Sequence, residues 1–242
     1  MHFGFALIAA TLLAACSPLP EAGSPEAGAA AARDAAGFPA ADRPVAGIVA
    51  SEWSSGPDRD AADESGQLIR GLDIRPGMAV ADIGAGEGYY TIRLASRVGK
   101  DGRVVAEDIV PEVRDALAQR VVRDRLDNVS VKLGDPANPK LPDNSFDRIV
   151  MVHMYHEVES PYALLWNLAT SLKPGAQVGV IDLDRPIDRH GTPPALLKCE
   201  FEAVGYRHVR TAPMTGGVGY LAVFEAPTQR PKPTDIQPCE AP

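Results

Sequence analysis

Short apolar runs alternate along this chain with stretches of helical spacing. The first run, residues 80–83, ends at Asp82-Ile83 and passes directly into Gly84-Ala85-Gly86-Glu87-Gly88. Behind it Tyr90, Leu94 and Val98 recur at i, i+4 and i+8, the apolar stripe of a helix. A second run, residues 104–106, precedes Pro111-Glu112, and Val113, Leu117 and Val121 then share one helical face. Proline suits that first turn because its missing N–H has no helical partner there. Residues 129–133 alternate as a third strand. A fourth, over 148–152, is continuously apolar from Ile149, as a parallel strand covered on both faces must be. A helix over 162–172 stops at Lys173-Pro174-Gly175, which reads as a turn, and a fifth strand follows over 177–183. A helix over 193–204 and two strands, 206–213 and 220–226, complete the series. Upstream, Leu68, Ile69 and Leu72 mark a short helix over 63–72, and Arg75-Pro76-Gly77 turns the chain into the first strand. Strands alternating with helices predict a doubly wound α/β domain.

The glycines bring in chemistry. Gly84, Gly86 and Gly88 can take positive φ and carry no Cβ, so a ligand can approach the backbone, and the helix N-terminus beyond them favours an anionic group. The dinucleotide fingerprint G-x-G-x-x-G has its third glycine where Tyr89 stands here. Asp82 also puts a carboxylate at the strand end, a poor neighbour for a pyrophosphate. A ligand that combines a cation, an amine and a carboxylate suits the loop better. Asp108 ends the second strand about 20 residues beyond Gly88, where doubly wound folds place an acid for ribose hydroxyls; Glu107 is its rival. Asp135 ends the third strand, and Leu141-Pro142-Asp143-Asn144-Ser145-Phe146-Asp147 precedes the fourth.

With D-x-G-x-G-x-G, two further strand-end acids, L-P-D-x-S-F-D and L-K-P-G in order, the chain resembles the class I S-adenosylmethionine (SAM)-dependent methyltransferases. The resemblance implies a Rossmann-like seven-stranded sheet of order 3-2-1-4-5-7-6, strand 7 antiparallel, within a domain over residues 46–226. It implies SAM as cofactor, held by Asp82, Gly84, Gly86, Glu87, Gly88, Asp108 and Asp135, with Asp108 on the ribose and Asp135 accepting from the adenine amine. It implies a small-molecule methyl acceptor, and an N-terminal segment over the pocket, where Trp53 is either a cover or a lone packing aromatic.

At the end of the fourth strand stand His153-Met154-Tyr155-His156-Glu157, where open α/β sheets bind ligands. His156 is the candidate general base, because imidazole titrates near neutral pH, and Tyr155 is the candidate contact to the acceptor or methyl group. His153, nearer the strand, reads as a core or supporting histidine. The alternative is that Tyr155 and His156 only line the pocket and proximity does the work. Asp182 and Asp184 read as solvated charges at a strand end.

Composition sets the surroundings. A formal net charge of −8 over 242 residues argues against a nucleic-acid surface. Residues 3–15 are uncharged and rich in Ala and Leu, too short to span a bilayer comfortably, and end at Leu13-Ala14-Ala15-Cys16. That ending resembles the lipobox of bacterial lipoproteins, although only His2 stands where basic residues are usual. It implies a signal peptide over 1–16, lipidated Cys16 as the sole membrane attachment, and an envelope location facing the periplasm; the alternative is cytoplasmic. Residues 17–45 read as a flexible linker and 227–242 as a disordered tail. Cys199 and Cys239 could bridge in an oxidising compartment, but a core thiol and an unrelated tail thiol is the expected reading. No C-x-x-C spacing exists, and no metal site is expected. An envelope location leaves a second functional class open, a binding or scaffolding module on this fold without turnover.

Overall fold

The computed structural model describes residues 1–2, 32–48 and 56–240. The chain divides into two units, 1–30 and 31–242; the fold below is that of the second. The apolar leader, Cys16 and Trp53 lie outside the described residues.

The alternating runs become β1 (Ala79–Ile83), β2 (Arg103–Asp108), β3 (Val129–Leu133), β4 (Phe146–Val152), β5 (Leu172–Asp182), β6 (Arg207–Pro213) and β7 (Tyr220–Glu225). They form one sheet of order β3-β2-β1-β4-β5-β7-β6. Strands β1 to β5 pair parallel with their neighbours, while β7 runs antiparallel to β5 and β6. Successive residues of a strand point to opposite faces, and both faces here meet apolar layers. On β4, Ile149 and Met151 join one layer and Val150 the other; on β1, Ala79, Ala81 and Ile83 oppose Val80 in the same way. This is why the central strands are apolar without alternation.

Helices α1 (Gly56–Ala61) and α2 (Glu64–Gly71) precede the sheet. Helix α3 (Tyr89–Val98) follows β1 and buries Tyr90, Leu94 and Val98; α4 (Pro111–Arg123) follows β2 and buries Leu117 and Val121. Helices α5 (Pro161–Ser171) and α6 (Pro194–Ala203) flank β5 in the chain. Lys173-Pro174-Gly175 is not a turn that separates helix from strand. It lies inside β5, which follows α5 directly, with Gly175 at φ +74 and a register shift against β4.

The described parts of the expected linker and tail are ordered against the domain and against each other. Arg33 donates to the Pro233 and Ile236 carbonyls at 3.0 and 2.9 Å, and the backbones of Asp42 and Glu240 pair in a parallel β-bridge. Phe38 is buried edge-on to Trp166, whose Nε1 donates to the Pro231 carbonyl. Arg43 forms a fully buried ion pair with Glu200 of α6 at 2.7 Å. Ile236 is buried, and Cys239 forms a disulfide with Cys199 of α6. The two-thiol reading is therefore overturned, as is the free tail over its described residues. These segments are poor in large apolar side chains. They are held by partners elsewhere in the chain that satisfy their backbone and charges, which composition does not reveal.

Candidate active site

Strand order reverses between β1, which leads to β2, and β4, which leads to β5, and a cavity of about 470 Å³ opens at the carboxyl ends of these strands. The glycine loop forms its floor. Gly84, Gly86 and Gly88 all take positive φ, +65, +54 and +85. Their reasons for being glycine differ. A Cβ on Gly84 would press on Met154 at 3.0 Å, and one on Gly88 would meet Leu117 at 2.4 Å. One on Gly86, which lines the cavity, would meet no protein atom within 4 Å. Gly88 and Gly84 are thus small for packing, whereas Gly86 keeps cavity space open.

Asp108 ties this loop to the second βα unit. Its carboxylate accepts from the Gly86 N–H at 3.0 Å and from the Val110 N–H at 2.9 Å. Two N–H donors fix the carboxylate while its remaining lone pairs stay available at the cavity wall. Asp82 lies below the loop, takes a 2.6 Å hydrogen bond from the Thr91 hydroxyl, and is pushed up to about 6, chiefly by burial. Glu107 is 2 % exposed, and burial and then the neighbouring Asp108 charge push it up to about 8. Its Oε1 has no hydrogen-bond partner among the described residues, and Gly134 leaves it the room that a side chain would take. Glu87 and Asp135 are exposed on the rim, the latter paired with Lys140 at 2.7 Å. Six of the seven residues expected at a cofactor, all but Gly88, line this cavity with Glu107 beside them.

The opposite wall comes from the N-terminal segment and the β4 connection. Ile48, Gly56 and Arg59 line the cavity with Tyr89, Tyr90 and His153. The Arg59 guanidinium stacks over Tyr89 and Tyr90 at 4.1 and 4.9 Å and pairs with buried Glu64 at 2.8 Å. Glu64 also accepts from the Tyr90 hydroxyl at 2.6 Å and lies 3.4 Å from His153 Nε2. Burial opposes its ionisation, but His153 and Arg59 outweigh it and hold the carboxyl down at about 2.

A methyltransferase-domain family model matches residues 80–175. A nocamycin O-methyltransferase of Saccharothrix syringae is 33% identical over 114 residues, 47% of this chain and 41% of its own. A ubiquinone/menaquinone biosynthesis C-methyltransferase of Hydrogenovibrio crunogenus is 35% identical over 118 residues, 46% and 44% of the two chains. The chain therefore spans less than half the length of these relatives. The crystal structure of a SAM-dependent methyltransferase from Aquifex aeolicus superposes with a TM-score of 0.64 at 26% identity, over 70% of this chain and 92% of that one. Residues 80–175 thus match a methyltransferase domain, and the seven-stranded sheet is that of the class I SAM-dependent methyltransferases.

SAM is the cofactor of that family, and the residues present fit it: a loop kept open at Gly86, an anchored acid on β2 and a cavity of small-molecule size. The chain departs from expectation at the end of β4. Tyr155 does not reach the cavity. It is fully buried and donates to Glu200 at 2.8 Å under the Arg43 guanidinium, which places it in the α6 core. His156 is also fully buried and does not line the cavity, but faces Asp182 at the end of β5. The cavity wall is made instead by His153, Met154 and Glu157. The cause is local. His153 takes a left-handed φ of +52, and a 3₁₀ turn, Tyr155–Glu157, then turns Tyr155 and His156 inward. Asp182 is a buried hydrogen-bond hub, not a solvated charge, whereas Asp184 is exposed. Arg59 and Glu64 are site residues that no motif in the sequence marks. Their only signal there is a charged pair five residues apart, ahead of the first strand.

Proposed function

We propose that the protein transfers a methyl group from SAM to a small-molecule acceptor. The observation that carries this reading is the glycine loop, braced by Asp108 through the Gly86 N–H, opening onto a cavity at the strand-order reversal. When bound, the cofactor supplies an electrophilic methyl group on a sulfonium. Asp108 takes the ribose hydroxyls, the glycine-loop amides at the start of α3 take the carboxylate end, and Asp135 takes the adenine amine. Asp82, Gly84 and Glu87 complete the cofactor side, with Gly88 behind them at the start of α3. The wall of Arg59, Tyr89, Tyr90 and His153 excludes water and orients the acceptor for in-line attack, so rate enhancement comes from positioning and desolvation. Tyr155 and His156 stand off the cavity wall, so this mechanism assigns neither of them a proton transfer.

Calorimetry tests the reading. SAM or S-adenosylhomocysteine should bind and NAD should not, and Asp108→Ala should weaken binding by about 1.5–3 kcal/mol, roughly 10- to 150-fold. Binding unchanged in Asp108→Ala but abolished in Glu107→Ala would move the ribose contact to Glu107.

A second reading is favoured by the Cys199–Cys239 disulfide, because such bonds persist in oxidising compartments. Together with the lipobox-like Leu13-Ala14-Ala15-Cys16 it supports a cell-envelope location, where the chain would serve as a binding module if SAM is not supplied there. Fatty-acid labelling that disappears in Cys16→Ala, with wild type in the membrane fraction, is the expected result. Wild type found free in the cytosol would overturn the envelope location.

A further inference from the structure

The connections that leave β4 and β5 meet beside the cavity. The first carries His156 and Glu157 on its 3₁₀ turn. The second folds another such turn, Ile187–Arg189, and the next residue, His190, takes a left-handed φ of +57. One donor atom each from His156, Glu157 and His190 falls within 4.8 Å of the other two. His156 Nε2 is 4.0 Å from a Glu157 oxygen, and the two imidazoles meet edge to face at 5.5 Å. Glu157 lines the cavity as well.

Asp182 decides what this cluster can do. It is fully buried, and its carboxylate lies 3.0 and 3.1 Å from His156 Nδ1. It also accepts from the Leu183 N–H at 2.8 Å and the Thr192 hydroxyl at 2.7 Å, so it cannot swing away. With Nδ1–H donated to the carboxylate, the lone pair of neutral imidazole sits on Nε2, the atom that faces Glu157. A carboxylate behind a histidine is the arrangement by which metal sites fix the tautomer and raise ligand basicity.

We propose that His156, Glu157 and His190 bind a divalent transition-metal ion, with Asp182 as the positioning residue behind His156. Two imidazole nitrogens and one carboxylate oxygen suit Zn²⁺ or a neighbouring first-row ion, whereas Mg²⁺ and Ca²⁺ prefer all-oxygen sets. Ligands about 2.0–2.1 Å from a tetrahedral ion stand roughly 3.4 Å apart, so the three atoms must close in by about an ångström. Glu157 and His190 are half-buried and can make that movement by side-chain rotation, while His156 is held by Asp182. Three protein ligands leave one position for water or a heteroatom of a ligand in the cavity. The ligands lie 33 residues apart in two connections, so no local spacing marks them in the sequence. The proposal goes beyond methyl transfer and does not depend on it.

The test uses the untagged full chain, stripped with chelator and titrated with Zn²⁺ and, separately, Co²⁺, with no SAM present. About one equivalent of Zn²⁺ should survive dialysis, the melting temperature should rise with free Zn²⁺, and Co²⁺ should give the visible absorption of a four- or five-coordinate site. His190→Ala and Glu157→Gln should each weaken Zn²⁺ binding at least tenfold and lose the Co²⁺ spectrum, while melting in chelator stays near wild type. Wild type that retains no equivalent at micromolar free Zn²⁺ would overturn the site. So would both variants retaining as much metal as wild type.

Discussion

Single residues divide here into those that shape the cavity and those that shape the fold, and the three loop glycines show the difference. Gly88→Val would collide with Leu117 and unfold local packing, but Gly86→Val puts its side chain into cavity space. Gly86→Val should abolish SAM binding while costing only about 1–3 kcal/mol, the strain of a branched residue at φ +54. Melting curves run beside calorimetry decide it, and parallel loss of fold and binding would assign Gly86 to the fold. Glu107 makes the other prediction at this scale. Its carboxyl titrates near 8 in the folded chain against an ordinary 4.5, so between those values the folded state holds a proton that the unfolded state has lost. Stability from this group is present at low pH and is lost as pH rises from about 4.5 through about 8, with a slope of at most about 1.4 kcal/mol per pH unit. Glu107→Gln, which mimics the neutral acid, should flatten the fall in melting temperature over that range and exceed wild type above pH 8. Parallel pH profiles would show that Glu107 ionises freely.

At the scale of elements, the informative one is the strap over residues 32–48, which joins α6 through Arg43 and the β4 connection through Ala46, whose N–H donates to the His156 carbonyl at 3.0 Å. Arg43→Ala leaves Glu200 buried without its cation, and removal of one partner of such a pair costs about 3–5 kcal/mol. The melting temperature should fall by on the order of 10 °C for a domain of this size. Because Tyr155 donates to the same carboxylate, the variant should also loosen the 3₁₀ turn, which hydrogen exchange at residues 155–157 would report. A fall of only a degree or two would make the strap peripheral.

For the whole molecule, the Cys199–Cys239 bond closes a loop of 40 residues and staples the C-terminal segment to α6. Cys239→Ser should lower stability by about 2–5 kcal/mol, and reduced wild type should melt with the variant. Wild type and variant melting together under oxidising conditions would mean that the bond does not form in solution.

Periodicity sufficed for the alternating strands and helices and for the glycine loop, because these depend on contacts between neighbours in sequence, whereas the sheet order came only from the motifs' resemblance to the class I methyltransferases. Buried parallel strands must be apolar on both faces, and a loop that admits a ligand must shed its side chains. What the tertiary structure alone decided involves groups far apart in the chain. Arg43 meets Glu200, Cys199 meets Cys239, and the strap meets the tail, so proline-rich segments that look unable to fold are held in place. The β4 connection shows the same limit at close range. Its two histidines, tyrosine and glutamate advertise chemistry, but which of them face the cavity depends on one left-handed residue, His153, and on Asp182 waiting at the end of the adjacent strand. Composition names the groups; the direction of each side chain is set by backbone geometry and by partners that only the folded sheet brings within reach.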